Sequence, residues 1–231
     1  MYENVVGIIC AVESEKEEIL NRYSEYIIKT VYDLHFYIFN IKSIKVVMVK
    51  CGVGKINAAR ATQILIDKFN VKSVINYGTA GSIDESLNIS DIVIAKACVQ
   101  ADADCTVLGI TKGKFEEEDE LYITADTEYL SIIKEKLEKK GCKVLLENIA
   151  TFDQFIVDTE FNNNLRKDFN VVCADMESVA IAIVCKACNI PFAIIRGISN
   201  VLGEEKPIDS YNKFKNTISS SCVEIISNII D

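Results

Sequence analysis

The stretch 171–201 limits the possible folds more than any other part of the chain. It contains two short apolar runs, and each ends in polar residues: Asp-Met-Glu after the first and Arg-Gly-Ile-Ser-Asn after the second. Between them lies an apolar segment of about three helical turns, which ends near Pro191 because proline removes a backbone donor. This order predicts strand, helix, strand, in a βαβ unit whose strands are buried on both faces.

Glu177 and Asn200 each follow one of these predicted strands. Open α/β sheets bind ligands beyond the carboxyl ends of their strands, so both side chains can face one pocket. Each residue also has a purely structural interpretation, since glutamate complements a helix N-terminus and asparagine turns a loop. For either residue alone we favour the structural interpretation, whereas the pair indicates a site.

The whole chain alternates apolar strand-length runs with helical segments, which predicts an α/β fold. Its 231 residues are 49% apolar and 26% charged, which is ordinary for a globular protein. We find no internal repeat, low-complexity linker or change in composition that would mark a boundary. We therefore predict a single domain over residues 1–231.

The charge and the apolar runs exclude several classes of partner. A net charge of −9 argues against a protein that binds the backbone of a nucleic acid. No apolar run reaches the roughly 18 residues that a membrane span needs, and the N-terminus lacks the basic segment of a signal peptide. We expect a cytoplasmic protein with neither a nucleic acid nor a membrane as partner.

The cysteines and the single histidine limit the chemistry. Nine cysteines without an export signal indicate free thiols in a reducing compartment. Cys185 and Cys188 have CxxC spacing but fall within a helical segment, and no second CxxC accompanies them. With His35 as the only histidine, we expect no zinc site and no Ser-His or Cys-His nucleophile.

A first strand-like run, 5–12, leads directly into acidic residues. Ser14 and Glu17 have the spacing of a capping box, which predicts that a helix begins at Ser14. Glu15 would then lie beside the carboxyl end of the first strand. Acids are also favoured in a first helical turn for electrostatic reasons, so the pattern alone does not make Glu15 catalytic.

Two small-residue segments follow other strand-like runs. Cys-Gly-Val-Gly-Lys, 51–55, opens a predicted helix that reaches about Lys68, and Gly-Thr-Ala-Gly-Ser, 78–82, follows the run 71–77. Neither has P-loop spacing. Their recurrence predicts two loops at the floor of one pocket, where glycines let the backbone approach a ligand. Before them, 26–40 and 43–50 are predicted to be two paired strands.

Seven segments, in the same order along nearly the whole chain, resemble the 5′-methylthioadenosine/S-adenosylhomocysteine nucleosidases of the purine nucleoside phosphorylase-like superfamily. They are GIICAVESEKEEI (7–19), CGVGKINAARAT (51–62), NYGTAGS (76–82), SDIVIAKACVQADADCT (90–106), TFDQFI (151–156), ADMESVAIAIVC (174–185) and IPFAIIRGISN (190–200). The resemblance implies a three-layer α/β/α domain around a mixed, partly barrel-like sheet. It also implies a homodimer that cleaves adenine from a purine nucleoside with water, without metal or organic cofactor.

The resemblance assigns roles to the main candidate residues. Glu15 matches the glutamate that activates the attacking water. Glu177, with Met176 before it, matches the motif that holds the ribose hydroxyls. Phe155 and Ile156 match the purine-binding loop, in which one ring stacks on the base and the backbone reads the edge of the base.

Further positions complete the implied pocket. Thr79 matches a small hydroxyl residue near the ribose and the water, and Ser199 belongs to the substrate-binding motif around residue 200. Val53 and Tyr211 match positions that line the pocket for the 5′ substituent. Leu108 falls where the family often has an aromatic residue contributed across the dimer interface.

The chain departs from the family at Asn200, where the resemblance predicts the aspartate that protonates the purine. Asparagine has nearly the same shape and donates a hydrogen bond, but it does not deliver a proton. General acid catalysis typically contributes about 10²–10⁴-fold. Three explanations are open: an engineered substitution, a natural homologue with weak or lost activity, or a preference for 6-oxopurine nucleosides.

The arginines favour water over phosphate as the nucleophile. A phosphorylase binds a phosphate dianion, usually with arginines. Related hexameric phosphorylases have an arginine where this chain has Asn76. The four arginines of the chain are Arg22, Arg60, Arg166 and Arg196. Two alternatives to the adenine nucleosidase remain: an enzyme for 6-oxopurine nucleosides, and a non-catalytic protein that binds purine nucleosides.

Overall fold

A computed structural model describes residues 5–156, 159–201, 204 and 206–230 of the chain, without the side chains of 159–163. The strands are β1 (Val5–Cys10), β2 (Ile27–Val31), β3 (Leu34–Ile41), β4 (Ile44–Lys50), β5 (Ser73–Ser82), β6 (Ile92–Gln100), β7 (Ile123–Thr124), β8 (Leu145–Thr151), β9 (Cys173–Asp175) and β10 (Phe192–Asn200). The helices are α1 (Glu13–Arg22), α2 (Lys55–Phe69), α3 (Thr127–Lys139), α4 (Thr159–Phe169), α5 (Ser178–Ala187) and α6 (Pro207–Ile230).

All the described strands belong to one sheet, part of which closes on itself. β5 pairs with β10, β10 with β6, β6 with β8, β8 with β9, and β9 again with β5, which makes a closed ring of five strands. From β5 the sheet continues through β1, β4 and β3 to β2 at the open edge. The expected mixed, partly barrel-like sheet is confirmed.

The ring contains strands of two opposite senses. β1, β4, β5 and β10 run parallel to one another, and β6, β8 and β9 form a second parallel group. The groups meet through antiparallel pairings of β10 with β6 and of β5 with β9. The predicted parallel βαβ unit is therefore wrong, because β9 and β10 belong to opposite groups, although both strands and the helix between them exist.

Two predicted boundaries are corrected by backbone geometry. The segment 26–40 is two strands, because a turn at Tyr32, where φ is +56°, separates β2 from β3. The segment 78–82 is not a loop but the end of β5, which pairs with β10 and β9.

The start of α1 also differs from the prediction. The helix begins at Glu13 and its N-cap is Val12, so the proposed capping box of Ser14 and Glu17 is wrong. The carboxylate of Glu15, in the first turn, accepts the backbone N–H of Val12 instead. The structural interpretation of Glu15, as an acid in the first turn of a helix, is therefore correct.

The helices pack on the sheet in two groups. α2 packs against α5, whereas α6 contacts α1 and α3 and covers β10 and β5. Asp126 caps α3, since its carboxylate accepts the N–H of Tyr129. None of the described helices is both long and apolar enough to cross a membrane. The arrangement is the expected three-layer α/β/α fold.

The packing of α6 on β10 leaves no room for a side chain at Gly197. A Cβ there would lie 2.1 Å from Cγ2 of Ile218. We expect Gly197→Ala to lower the free energy of unfolding by about 1–3 kcal/mol, the usual cost of overpacking a core. Urea denaturation would measure this loss.

Gly7 provides a matched control, because a Cβ at this strand glycine would meet its nearest atoms at 3.3 Å. Gly7→Ala should therefore cost less than Gly197→Ala. In the double variant Gly197→Ala/Ile218→Ala, the loss in free energy of unfolding should be smaller than the sum of the losses in the two single variants, because the shorter side chain at 218 makes room for the new Cβ. Full additivity would contradict the packing described for α6.

Candidate active site

One pocket of about 200 Å³ lies where the carboxyl ends of β1, β5, β9 and β10 come together. The ten residues proposed for the site all line it: Glu15, Val53, Thr79, Phe155, Ile156, Met176, Glu177, Ser199, Asn200 and Tyr211. Leu108 is not among the lining residues and is 72% exposed on the surface. Folding thus gathers ten positions that are far apart in sequence, while their chemical roles remain predictions.

Glu15 is held at the junction of β1 and α1. Its Oε2 accepts the N–H groups of Ala11 at 2.8 Å and Val12 at 3.1 Å, and the residue is only 3% exposed. Burial raises the pKa of this carboxyl, although the hydrogen bonds from Val12 and Ala11 and the nearby Arg196 oppose the rise. A carboxylate of raised pKa that is fixed by backbone donors suits a general base.

Glycine at position 78 allows this placement. A Cβ on Gly78 would lie 2.8 Å from Oε1 of Glu15. A Cβ on Gly81 would lie 3.1 Å from Nδ2 of Asn200. The small residues at the end of β5 are therefore needed because the strand passes directly beside both polar side chains.

Glu177 is joined to the turn before α2. Gly54 donates its N–H to Oε1 of Glu177 at 2.9 Å, in a backbone conformation (φ +98°) that glycine adopts readily. Burial first, and then the charge of Asp175, raise the pKa of Glu177 to about 7, although Arg196 opposes the rise. This carboxyl therefore titrates near neutral pH.

Asn200 is the last residue of β10 and is 5% exposed. The hydroxyl of Ser199 donates to its Oδ1 at 3.0 Å. This contact uses the oxygen of the amide and leaves the NH₂ group as the donor toward the pocket. The residue is placed to give hydrogen bonds to a ligand but not to give a proton.

A buried ion pair beneath the site was missed by sequence reasoning. Arg196 donates from Nε to Oδ2 of Asp175 at 2.7 Å, and both side chains are 1% exposed. Thr151 donates to the other carboxylate oxygen at 2.7 Å, and Arg196 also donates to Asn76. An arginine within an apolar strand was the available signal, because a buried charge needs a partner.

A second unpredicted cluster fixes the loop 152–156. Lys55 donates from Nζ to Asp102 at 2.6 Å, and its backbone N–H donates to Asp153 at 2.9 Å. Asp102 also accepts the N–H of Asp153 at 3.0 Å. Two residues further on, the ring of Phe155 meets that of Tyr211 edge to face, with centroids 5.8 Å apart. The cluster thus positions one aromatic wall of the pocket.

The arginines that were weighed as phosphate ligands are engaged elsewhere. Arg60 pairs with Asp33, Arg166 with Asp84, and Arg196 with Asp175. Of the described residues that line the pocket, none is arginine, lysine or histidine, while Glu15, Asp175 and Glu177 are acidic. The pocket wall is therefore anionic.

Comparisons with known proteins give the family of the chain. The family model described as "Phosphorylase superfamily" matches residues 5–231. The 5′-methylthioadenosine/S-adenosylhomocysteine nucleosidase of Halalkalibacterium halodurans is 32% identical over 226 residues, which are 97% of each chain. That of Staphylococcus haemolyticus is 30% identical and covers 98% of this chain and 99% of its own. The chain belongs to this nucleosidase family.

Solved structures confirm the fold. The 5′-methylthioadenosine/S-adenosylhomocysteine nucleosidase of Helicobacter pylori, in complex with a substituted pyrrolidine, has a TM-score of 0.95 at 22% identity, covering 100% of this chain and 99% of its own. The futalosine hydrolase of the same species has a TM-score of 0.95 at 23% identity, covering 99% and 98%. Two proteins with different named activities therefore share this nucleosidase's fold.

The buried pair yields a test of stability. We expect Asp175→Asn to lower the free energy of unfolding by about 3–5 kcal/mol, because it leaves the guanidinium of Arg196 buried without its counter-charge. Asp33→Asn is the matched control, because Asp33 forms an exposed ion pair with Arg60 through two hydrogen bonds. Its loss should lower the free energy of unfolding far less. Equal losses in chemical denaturation would contradict the structural role of the pair.

Glu177 yields a test of pH dependence. Its pKa is about 7 in the folded protein, against 4.5 for a free glutamate. Between these values the folded state retains a proton that the unfolded state loses, so the free energy of unfolding falls as the pH rises from 4.5 to 7.

Glu177→Gln should remove this contribution, which is at most about 1.4 kcal/mol per pH unit. The free energy of unfolding of the parent minus that of the variant should decline up to about pH 7 and stay constant above it. Urea denaturation at a series of pH values would show this, and a constant difference across the range would refute the assignment.

Proposed function

We propose that this protein hydrolyses the N-glycosidic bond of 5′-methylthioadenosine and S-adenosylhomocysteine and releases adenine. The observation that carries the proposal is that Glu15, Glu177 and Asn200 line one pocket beside the ring of Phe155. The activity named for the family's curated relatives supports it. As these residues come from four separate segments, their convergence is a property of the fold rather than of any local motif.

In the proposed mechanism, Glu15 takes a proton from the attacking water. Departure of the base leaves positive charge on the ribosyl carbon, so a carboxylate beside the water stabilises the transition state. Two backbone N–H groups hold one oxygen of Glu15 in place. The backbone N–H of Thr79 also donates to this carboxylate, and burial raises the pKa of the group so that it is a stronger base. Each carboxylate oxygen has two lone pairs, so the group can still accept a hydrogen bond from the water.

Glu177 and Met176 are proposed to hold the ribose. A carboxylate accepts hydrogen bonds from two neighbouring hydroxyls, and the N–H of Gly54 keeps that of Glu177 in position. Phe155 would stack on the base, and the backbone of Ile156 would read the edge of the base. Thr79 lies in the lining near Glu15, where it would contact the ribose and the water.

The remaining lining residues have roles at the two ends of the ligand. Val53 and Tyr211 are proposed to contact the 5′ substituent, because both lie toward the exposed side of the pocket: Val53 is 48% exposed, and Tyr211 meets the half-exposed Phe155. Ser199 would orient Asn200 through their hydrogen bond. Asn200 would then donate to the base.

Water is the proposed nucleophile because the described lining of the pocket offers no cation for phosphate. Asn76, at the position where related phosphorylases have an arginine, is 1% exposed and bonded to Arg196 and to the carbonyl of Ile9. In the pocket a phosphate dianion would meet the carboxyl groups of Glu15 and Glu177, while the guanidinium of Arg196 behind them is already paired with Asp175.

A second candidate substrate class is the 6-oxopurine nucleosides. The observation in its favour is the NH₂ group of Asn200, which would donate to O6 and N7 of such a base. A comparison of inosine with methylthioadenosine, each with and without phosphate, separates the candidates. Faster turnover of inosine would favour the second, and dependence on phosphate would contradict hydrolysis.

We also propose a homodimer in the cytoplasm, formed by one domain over residues 1–231. Val107 and Leu108 support the dimer, because they are 93% and 72% exposed although both are apolar. All nine cysteines are free thiols, which supports a reducing compartment. Sedimentation of the purified chain would test the dimer.

The decisive test is release of adenine from methylthioadenosine. We expect slow release by the chain as it stands, and a gain of about 10²–10⁴-fold in Asn200→Asp, because the aspartate supplies a general acid. Glu15→Gln should abolish release in either background. Asn88→Asp, at an exposed turn outside the pocket, is the control for added charge and should change nothing.

The outcomes separate the alternatives. No gain in Asn200→Asp would contradict the role given to Asn200. Binding of methylthioadenosine, seen as thermal stabilisation, without turnover in both forms would contradict hydrolysis and favour a non-catalytic binding protein.

A further inference from the structure

Two features of the pocket stand together: its wall carries several carboxyl groups, and position 200 lacks the general acid that the family resemblance predicts. Glu15, Asp175 and Glu177 are the charged residues among its described lining, and all are less than 8% exposed. The guanidinium of Arg196 lies behind the wall and is bonded to Asp175. An anionic, poorly hydrated wall attracts a positively charged ligand.

Other hydrogen bonds engage the carboxyl groups of the wall, so these groups do not take over the protonation of the base that Asn200 is unable to perform. Glu15 is bound by the N–H groups that begin α1, and Glu177 by the N–H of Gly54. Asp175 accepts hydrogen bonds from Arg196, Thr151 and Ser178. The partner that the structure shows for the side chain of Asn200 is the hydroxyl of Ser199. A hydroxyl of ordinary acidity is a poor proton donor to a departing base.

The nature of the leaving group decides whether this matters. When the C–N bond of an uncharged nucleoside breaks, its electron pair goes to the base, which becomes an anion unless it gains a proton. When the base ring already carries a fixed positive charge at the glycosidic nitrogen, the same electron pair neutralises it. Such a base leaves as a neutral molecule without any general acid.

We propose that this pocket also hydrolyses ribonucleosides whose base ring is a fixed cation, with pyridinium ribosides as the leading class. Water forms the new C–O bond at the ribosyl carbon and gives its proton to Glu15, while the electron pair of the broken C–N bond stays on the departing neutral ring. The inference rests on the proposed function, because it uses the same water, the same base and the same ribose contacts.

The aromatic side chains suit such a ring as well as a purine. Phe155 is half exposed at the pocket and meets Tyr211 edge to face. A cationic ring within about 6 Å of an aromatic face gains roughly 0.5–2 kcal/mol from the cation–π interaction. The cation would also favour the ionised forms of Glu15 and Glu177, whose pKa values burial raises.

The test compares nicotinamide riboside, a pyridinium cation, with its reduced form, which has nearly the same shape but no charge. The full chain, Asn200→Asp and Glu15→Gln are assayed on both compounds and on methylthioadenosine, with uncatalysed rates subtracted. We expect the parent chain to cleave the cation at least 10²-fold faster than the reduced form, the lower end of what a general acid contributes. Glu15→Gln should abolish that cleavage.

The decisive readout is the response to Asn200→Asp. This change should raise the kcat for methylthioadenosine by about 10²–10⁴-fold and give no comparable gain in the kcat for the pyridinium riboside, because that leaving group needs no proton. The added carboxylate should instead lower the KM for the cation, because it attracts the positive charge of the ring. An equal gain on both substrates would overturn the inference. So would cleavage of the cation that persists in Glu15→Gln, or no cleavage of it by the parent chain.

The two proposals fail separately. If Asn200→Asp releases adenine but the parent chain leaves the pyridinium riboside intact, the nucleosidase function stands and the inference about cations is wrong. If the parent chain cleaves the cation through Glu15 but Asn200→Asp gains nothing on methylthioadenosine, the role given to position 200 toward purines is wrong. 7-Methylinosine, in which the fixed charge lies on a purine, is the second cationic probe and should follow the pyridinium compound.

Discussion

The ion pair of Arg196 and Asp175 is the interaction on which the rest of the site depends. Both side chains are almost completely buried, at the meeting point of β10, β9 and β5. Removing two charges from water is costly, so the pair persists only because Thr151, Asn76 and backbone groups satisfy its remaining donors and acceptors. It joins the two strand groups of the ring and provides the positive charge that offsets Glu15 and Glu177.

Closure of the sheet explains why residues from distant segments meet. β5 pairs with β10 along most of its length and then with β9 at its last two positions, so one strand touches both groups. Glycines near the end of β5 bring its backbone within contact of Glu15 and Asn200. An open parallel sheet would place these groups along one edge, whereas the ring turns them toward a common hollow.

Much of this was accessible from the sequence, and the remainder has physical reasons. Strand and helix periodicity located the elements, and resemblance to a known family supplied the ten lining positions. The sense of β9 relative to β10 was mispredicted because a short apolar run carries no information about its partner. Asp175 and Asp102 were missed because ion pairs across long sequence separations leave no local pattern, although an arginine in a buried strand did indicate that a counter-charge exists.

The placement of Glu15 gives it a structural role beside its proposed catalytic one, and a comparison of sequences would not separate the two. Its carboxylate satisfies the backbone donors at the entrance to α1 whether or not any ligand is present. A descendant that had lost all turnover would still be under pressure to retain an acid there, merely to keep its first helix joined to its first strand. A glutamate at this position in another protein would therefore indicate the architecture as much as the chemistry, and residue 200 is the better place to look for a change of activity.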